Sequence, residues 1–498
     1  MKRLFAGYWR RSERRGQRSF EFVRTSVQNE VNANLKVEVT RMKLPLGLLG
    51  DESLVPCVDG MSRRYVGLDA AASTGALPSV MDRVMEFLPS YSSIHRGAGY
   101  KSQLATVQYE EARDAALAFA GREGRDDVAI ICRNTTEAIN HLVYRLGLDA
   151  SDVVVTTVVE HHANLLPWSR VATCRYVECG ADGTFTLADV EAALDLAPKP
   201  RLLALSGASN ITGWMPPIGE IIEAAHSREI PVMVDGAQLA PHRPLPATAD
   251  FVVWSGHKMY APFGAGVLVG PRSAFTEGDP FLAGGGAVDL VDLDEVIWTT
   301  PPEREEAGSP NVVGAIALHA AIDALGDVGW PEIIEHDRRM ARALRGGLAA
   351  IPKVRVLGPD LLTDTLPVAA FTVDGVPFAL VAARLSAEFA IGVRHGCFCA
   401  HPYLIRLLGL SDDQVTQFQA NVRHGDRQSL PGAVRASCGI NTSDDDVQKL
   451  LDAVALIASG SRAPCEYHQD PVSGDYFPDP ATGWLADVRR HGGSCSPG

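Results

Sequence analysis

Six short runs constrain the fold of this chain more than anything else in it. Residues 128–132, 153–158, 202–206, 232–235, 251–254 and 266–270 are β-rich, and most are apolar at consecutive positions. A strand with one wet face alternates apolar and polar residues. One that is apolar throughout is buried on both faces, which requires helices on either side of a mainly parallel sheet. Helical stretches alternate with these runs, so the reading is an α/β fold. After about Asn311 the pattern changes: 314–325, 331–348 and 444–458 read as helices, and 354–357 and 368–373 as strands. That is the signature of a second, smaller α+β unit. From about Pro464 onward Pro, Gly, Asp and Ser dominate, and an extended or frayed tail is expected.

Residues 1–45 carry eleven Lys or Arg against four Glu, so the rest of the chain is more acidic than the net charge of −14 suggests. An acidic body is a poor partner for nucleic acid. The basic stretch has no apolar segment of signal-peptide type, and its glutamates disfavour an organellar transit peptide. It is expected to be a disordered extension, with Met42 an alternative start. No apolar run is long and charge-free enough to span a bilayer, so no membrane partner is expected. Nine irregularly spaced cysteines fit a reducing cytoplasm better than a disulfide scaffold.

The chemistry-bearing residues sit where the apolar runs end. Asp250-Phe-Val-Val-Trp-Ser-Gly-His-Lys-Met-Tyr260 stops abruptly at Ser255, Gly256, His257 and Lys258. A lysine at the carboxyl end of a buried strand is partly desolvated, which lowers its pKa and favours imine chemistry. Ser255 and His257 beside it can hydrogen-bond a phosphate; the alternative is a solvated loop charge. Pro231-Val-Met-Val-Asp-Gly-Ala-Gln238 is a second apolar strand ending in an acid. Asp235 suits a pyridinium nitrogen and Gln238 a ring oxygen, unless Asp235 is a turn or cap residue. Asn134 with Glu137 three residues on is a capping-box pattern, which puts Thr135 and Thr136 where free amides meet an anion. The same pattern also describes a capped helix without a ligand.

Taken in order, Thr135-Thr-Glu-Ala-Ile-Asn140, Glu160-His-His-Ala-Asn-Leu-Leu-Pro-Trp168, Ser209-Asn210, Val234-Asp-Gly-Ala-Gln238 and Ser255-Gly-His-Lys-Met-Tyr-Ala-Pro-Phe-Gly-Ala-Gly266 resemble the class V aminotransferase superfamily. Within it they resemble cysteine desulfurases of the SufS kind, over roughly residues 65–457. The resemblance implies the type I fold of pyridoxal 5'-phosphate (PLP) enzymes and a homodimer. It implies a segment 46–80 associated with the small domain, a large PLP-binding domain over 81–330 and a small C-terminal domain over 331–460; the extended tail expected from composition then spans 461–498. Lys258 becomes the lysine that carries PLP, Asp235 the partner of the pyridine nitrogen, and Gln238 and Asn210 contacts on the phenolic-oxygen side. Thr135, Thr136, Ser255 and His257 become phosphate contacts, and His161 the histidine stacked on the ring. In Glu306-Ala-Gly-Ser-Pro-Asn311, Gly308 and Ser309 are implied to reach the other subunit's phosphate; the family usually has Thr where Ser309 stands, which keeps the hydroxyl. Ser93-Ile-His-Arg-Gly97 resembles the loop at the mouth of the site, with His95 and Arg96 close to substrate.

In the smaller unit Arg435 matches the arginine that clamps a substrate α-carboxylate, a task suited to a guanidinium, and Arg394 is placed to assist. An amino-acid substrate follows. Val393-Arg-His-Gly-Cys-Phe-Cys-Ala-His401 aligns with the loop that delivers a nucleophilic cysteine, with Cys399 in the nucleophile's place. It departs from SufS at Cys397, where His is usual, and at His395, where Thr is usual; the GCFC is closer to molybdenum-cofactor sulfurases. Lys258 is then expected to remove the α-proton, Cys399 to take the sulfur as a persulfide, and His161 to shuttle a proton, leaving alanine and a persulfide for a sulfur-acceptor protein. The residues themselves leave other readings open for Cys397 and Cys399: buried structural thiols, a redox pair, or a metal site with His395 and His401. The expectation is no metal. Two further functions stand beside desulfuration: a PLP lyase, epimerase or cyclising enzyme resembling isopenicillin N epimerase, in which Cys399 is idle, and a non-catalytic partner, which intact Lys258, Asp235 and Arg435 argue against.

Overall fold

A computed structural model of the protein describes residues 44–493; the basic stretch expected to be disordered lies outside them but for its last two residues. Strands β1 (Asp127–Cys132), β2 (Val153–Thr157), β3 (Thr173–Val177), β4 (Leu202–Ser206), β5 (Val232–Asp235), β6 (Phe251–Ser255) and β7 (Gly266–Pro271) form one seven-stranded sheet in the order β1-β7-β6-β5-β4-β2-β3. Only β7 pairs antiparallel, with β1 and β6; the other pairs are parallel. This is the mainly parallel sheet that the apolar runs predict. In β6, Phe251 and Val253 pack on one side with Ile130 and Leu142, while Val252 and Trp254 pack on the other with Leu203 and Val234. Burying such a side chain stabilises the fold by about 1.5–3 kcal/mol, which is why both positions of the alternation are apolar. Strand β3 escapes the pattern because it is an edge strand, half open to solvent, with the sequence TCRYV.

The carboxyl ends of β1, β2, β4, β5 and β6 meet at one edge of this sheet, the edge where open α/β sheets bind ligands. Helix α1 (Thr135–Leu146) starts there after β1, and α2 (His162–Ser169) after β2. Helix α3 (Val312–Val328), apolar nearly all round, packs in the main core and leads into α4 (Trp330–Ala350).

The second unit is a four-stranded antiparallel sheet of β8 (Val354–Leu357), β9 (Val368–Val373), β10 (Arg394–Gly396) and β11 (Ala433–Ser437), in the order β8-β9-β11-β10. Helices α4, α5 (Phe378–Phe389) and α8 (Asp444–Ala458) cover it, with Leu344, Leu385 and Val454 in a core of its own; α6 (His401–Leu408) and α7 (Asp412–Arg423) lie between α5 and α8 in the chain. Val66 and Leu68 enter the same core, and Val66–Gly67 pairs in parallel with Ile391–Gly392.

The stretch after Pro464, expected to be extended, is folded: β12 (Tyr467–Gln469) and β13 (Tyr476–Pro478) form a hairpin, followed by α9 (Trp484–Gly493). Its Asp, Ser and Gly residues are turn chemistry. Asp470 Oδ1 accepts from the amides of Val472 and Ser473 at 2.8 Å, and Gly474, at φ +81°, sits so close to Arg427 that a Cβ would lie 2.4 Å from its carbonyl oxygen. Among the described residues no single helix is long and apolar enough to cross a membrane.

Candidate active site

Twelve of the sixteen candidate site residues line one cavity of about 330 Å³ at the strand ends: Lys258, Asp235, Gln238, Ser255 and His257 after β5 and β6, Thr135 and Thr136 on α1, His161 before α2, Asn210, and Arg394, Cys399 and Arg435 from the smaller unit; the cap residue Asn134 lines it with them. Gly308, Ser309, His95 and Arg96 do not line it. Gly308 and Ser309 lie on an exposed loop strung between the buried Glu306, which accepts from the Ile131 amide at 2.7 Å, and Asn311, which caps α3 through the Gly314 amide at 2.9 Å. His95 bonds Glu110 at 2.7 Å, and Arg96 donates to the Val288 carbonyl at 2.7 Å.

Strand β6 ends at Ser255 and turns sharply through Gly256–Lys258, which aims Lys258 into the cavity. Burial lowers the Lys258 ammonium to about 8, against the pull of Asp235 and with the push of Arg435. Its Nζ has no hydrogen-bond partner among the described residues. The rate at which Lys258 condenses with an added aldehyde is therefore expected to climb as pH rises through about 8 and to level above it, because only the neutral amine reacts. Stopped-flow absorbance at varied pH reads this; a rate that keeps climbing into the ordinary lysine range contradicts it.

Asp235 is 5% exposed. Its Oδ1 accepts from the Ala237 amide at 2.9 Å, while Oδ2 has no partner among the described residues. Burial pushes this carboxyl up, opposed by the Ala237 amide and Lys258, so a cationic N–H is the partner that satisfies it. At the other end, Asn134 caps α1 by accepting from the Glu137 amide at 3.0 Å. Glu137 reaches the Arg133 amide at 2.9 Å instead of that of Asn134, so the reciprocal half of the capping box is shifted by one residue. Ser255 Oγ takes the Thr135 amide at 2.8 Å and touches Thr135 Oγ1 at 2.6 Å. This leaves the Thr136 amide of the first turn for an anion, where the helix end favours negative charge. The close approach requires glycine at 266, since a Cβ there would lie 2.5 Å from the Asn134 backbone.

His161 precedes α2, and its Nδ1 accepts from the Ala163 amide at 3.0 Å; the proton of the neutral ring is therefore on Nε2. Burial, then Lys258, hold this imidazole down to about 3, so it is uncharged at neutral pH. Gln238 and Asn210 each donate one amide N–H to backbone: Gln238 to Ala71 O at 2.7 Å and Asn210 to Phe398 O at 2.7 Å. The first fixes the segment 71–74 over His257, whose carbonyl accepts from the Thr74 amide at 2.9 Å. The second holds the cysteine loop.

Arg435, on β11, is 2% exposed. It donates to Asn210 O at 2.9 Å and to Asp69 Oδ1 at 2.8 Å, its Nε has no partner among the described residues, and its guanidinium lies over Phe398 at 5.2 Å. Arg394 faces the same Asp69 at 3.7 Å from the rim. Cys399 is exposed and Cys397 half-buried, so neither is a buried structural thiol, and no disulfide joins them. Phe398 and Cys399 both adopt left-handed backbone angles, φ +55° and +54°, which cost about 1–2 kcal/mol per residue without glycine. The surroundings impose them: the His162 amide donates to Cys399 O at 2.7 Å and that of Ala400 to Cys397 O at 3.0 Å, and His401 stacks on His162 at 5.0 Å. Among the described residues no three His, Cys, Asp or Glu side chains converge as a metal-ligand set.

Sequence reasoning missed Asp69, the segment 71–74, and Glu160. Glu160 is wholly buried behind His161 and accepts from Thr157 Oγ1 at 2.7 Å, Asn164 Nδ2 at 2.7 Å and Ser206 Oγ at 2.5 Å; burial pushes its carboxyl up to about 7. Its place in Glu160-His-His was the one available signal.

A desolvated strand-end lysine, a buried acid with a free oxygen and a helix-end anion cradle define the class. The chain belongs to the class V aminotransferase family, whose model matches residues 66–450. It is 34% identical to a cysteine desulfurase of Escherichia coli over 80% of this chain and 94% of that protein. It is 33% identical to a probable cysteine desulfurase of Halobacterium salinarum over 78% and 90%. Its fold is similar to the apo structure of a cysteine desulfurase from Thermococcus onnurineus NA1, with a TM-score of 0.70 and 30% identity over 80% of this chain and 95% of that one, and to that of the E. coli cysteine desulfurase CsdA, at 0.67 and 31% over 80% and 96%.

Proposed function

We propose that this protein is a PLP-dependent cysteine desulfurase that converts L-cysteine to alanine and leaves the sulfur as a persulfide on Cys399. One observation carries the reading: Lys258, Arg435 and Cys399, far apart in the chain, line one cavity. The residues fit the cofactor. Lys258 Nζ is free to hold it, Asp235 Oδ2 to accept from its ring nitrogen, the Thr136 amide, Ser255 and His257 to take its phosphate, and His161 to cover its ring. Bound PLP supplies the electron sink that makes the substrate's α-C–H acidic.

Arg435 binds the α-carboxylate and so orients the substrate, and Phe398 against it excludes water. Lys258 Nζ, with its lowered pKa, accepts the α-proton. The Cys399 thiolate attacks the substrate sulfur: an S–S bond forms, the C–S bond breaks, and its electron pair stays with the carbon, which is reprotonated to alanine. His161, neutral and with its proton on Nε2, meets the substrate as a hydrogen-bond donor. We also propose a homodimer in which Gly308 and Ser309 complete the phosphate site of the neighbouring subunit, with His95 and Arg96 at its mouth.

Arg435→Lys loses the fork that matches a carboxylate, about 2 kcal/mol, so KM for L-cysteine is expected to rise roughly 30-fold while PLP content is kept. Initial rates of alanine formation, with cofactor measured by absorbance, test this and the reaction together; unchanged KM removes the assignment, and no alanine from the unmodified protein removes the function.

A further inference from the structure

A second cavity, of about 650 Å³, lies against the cysteine loop. Arg394, Phe398 and Cys399 line both cavities, whereas Lys258 lines only the first and Cys397 only the second. The Cys399 loop is thus the wall between them. The far side of the second cavity is built by α7 and by the hairpin of β12 and β13, including Gln469, Gly474 and Asp475; this hairpin lies beyond residue 450, where the family match ends.

The hairpin is fastened there. Gln469 Nε2 donates to Gln428 O at 3.1 Å, Asp475 faces His395 at 3.5 Å, and Gly474 packs on Arg427. Helix α7 has no buried residue, yet Val415, Phe418 and Val422, spaced along one face, turn to this space with Ile405, Leu430 and Tyr476. A helix presents such a stripe to an apolar partner. Arg423 and Arg427 also line the cavity; both are exposed, and neither has an acidic partner among the described residues. The volume falls in the range of small-molecule sites, and the lining of apolar walls with a few charges is theirs as well.

We propose that this cavity binds the sulfur acceptor, a low-molecular-weight thiol with an apolar body and an acidic group. The proposal rests on the desulfurase reading. The acceptor thiolate attacks the outer sulfur of the Cys399 persulfide; a new S–S bond forms on the acceptor, the bond to Cys399 breaks, and Cys399 leaves as thiolate. No outside oxidant or reductant is required. Its apolar body lies on Phe418 and Val422, and its anionic group meets Arg423 and Arg427.

The test uses holoenzyme and L-cysteine, with para-mercaptobenzoate as the acidic aromatic thiol and cysteamine as the cationic one. Without acceptor, a burst of one alanine per subunit reports persulfide formation. Steady turnover is expected to saturate with para-mercaptobenzoate and to rise linearly, and more slowly, with cysteamine. In the Arg423→Gln/Arg427→Gln variant the half-saturating concentration of para-mercaptobenzoate should rise at least about tenfold, the loss of a charge-assisted contact, and Arg423→Lys/Arg427→Lys should recover most of it. A normal burst followed by a strictly linear response to para-mercaptobenzoate, an unchanged half-saturation in the Gln variant, or discharge by a protein thiol alone overturns the acceptor site. Absence of the burst overturns the desulfurase reading and this one with it.

Discussion

Lys258→Ala protein is expected to be colourless where the unmodified protein is yellow, to release PLP on gel filtration, and to yield no cofactor-bearing peptide after borohydride. The expectation follows from the site. Lys258 is the amine desolvated at the end of β6, its Nζ has no competing hydrogen bond, and its pKa of about 8 leaves an appreciable neutral fraction at neutral pH. Loss of a positioned base alone costs about 10²–10⁴-fold in rate, and loss of the covalent anchor adds to it, so turnover should fall below detection. Absorbance spectra and borohydride trapping decide the point. A band that persists with unchanged trapping shows that another amine holds the cofactor.

Cys399→Ser separates proton removal from sulfur transfer. Acidifying the α-hydrogen requires Lys258, Asp235 and the cofactor, so the variant should still exchange the α-hydrogen of bound cysteine with solvent deuterium. Sulfur transfer requires a thiolate, and a serine hydroxyl stays protonated at neutral pH and is a poor nucleophile toward sulfur. Alanine formation should drop by at least about 10²-fold, with no persulfide formed. Cys397, which lines only the second cavity, should tolerate serine with a smaller loss. NMR of the recovered amino acids measures both steps. Wild-type turnover in Cys399→Ser transfers the reading to a lyase or epimerase in which the cysteine is idle.

What could be read from the chain alone follows from where the determinants lie. The sheet was legible because strands buried on both faces must be apolar throughout, and Lys258, Asp235 and Asn134 were legible because they interrupt such strands at their ends. Edge strand β3 carried no such mark. Helix α7 was illegible for the opposite reason: its stripe of Val415, Phe418 and Val422 faces a cavity and belongs to no core. Asp69 matters through a bond to Arg435, 366 positions away, and no local pattern records a partner at that distance. Gln238 and Asn210 were read as cofactor contacts from their motifs, while their bonds to Ala71 and Phe398 arise only when the N-terminal segment and the cysteine loop fold over the sheet. The tail was misread because Asp470, Ser473 and Gly474, taken as signs of an extended chain, are the residues of a tight turn.

The central claim is that Lys258 and Cys399 act in turn on one substrate. Peptide mass spectrometry of holoenzyme reacted anaerobically with L-cysteine and alkylated at once tests it most directly. The expected result is one additional sulfur on the peptide carrying Cys399, equimolar with the alanine released and absent from the Lys258→Ala protein. Alanine or another product formed while Cys399 remains an unmodified thiol, or the added sulfur found on a different cysteine, would contradict it.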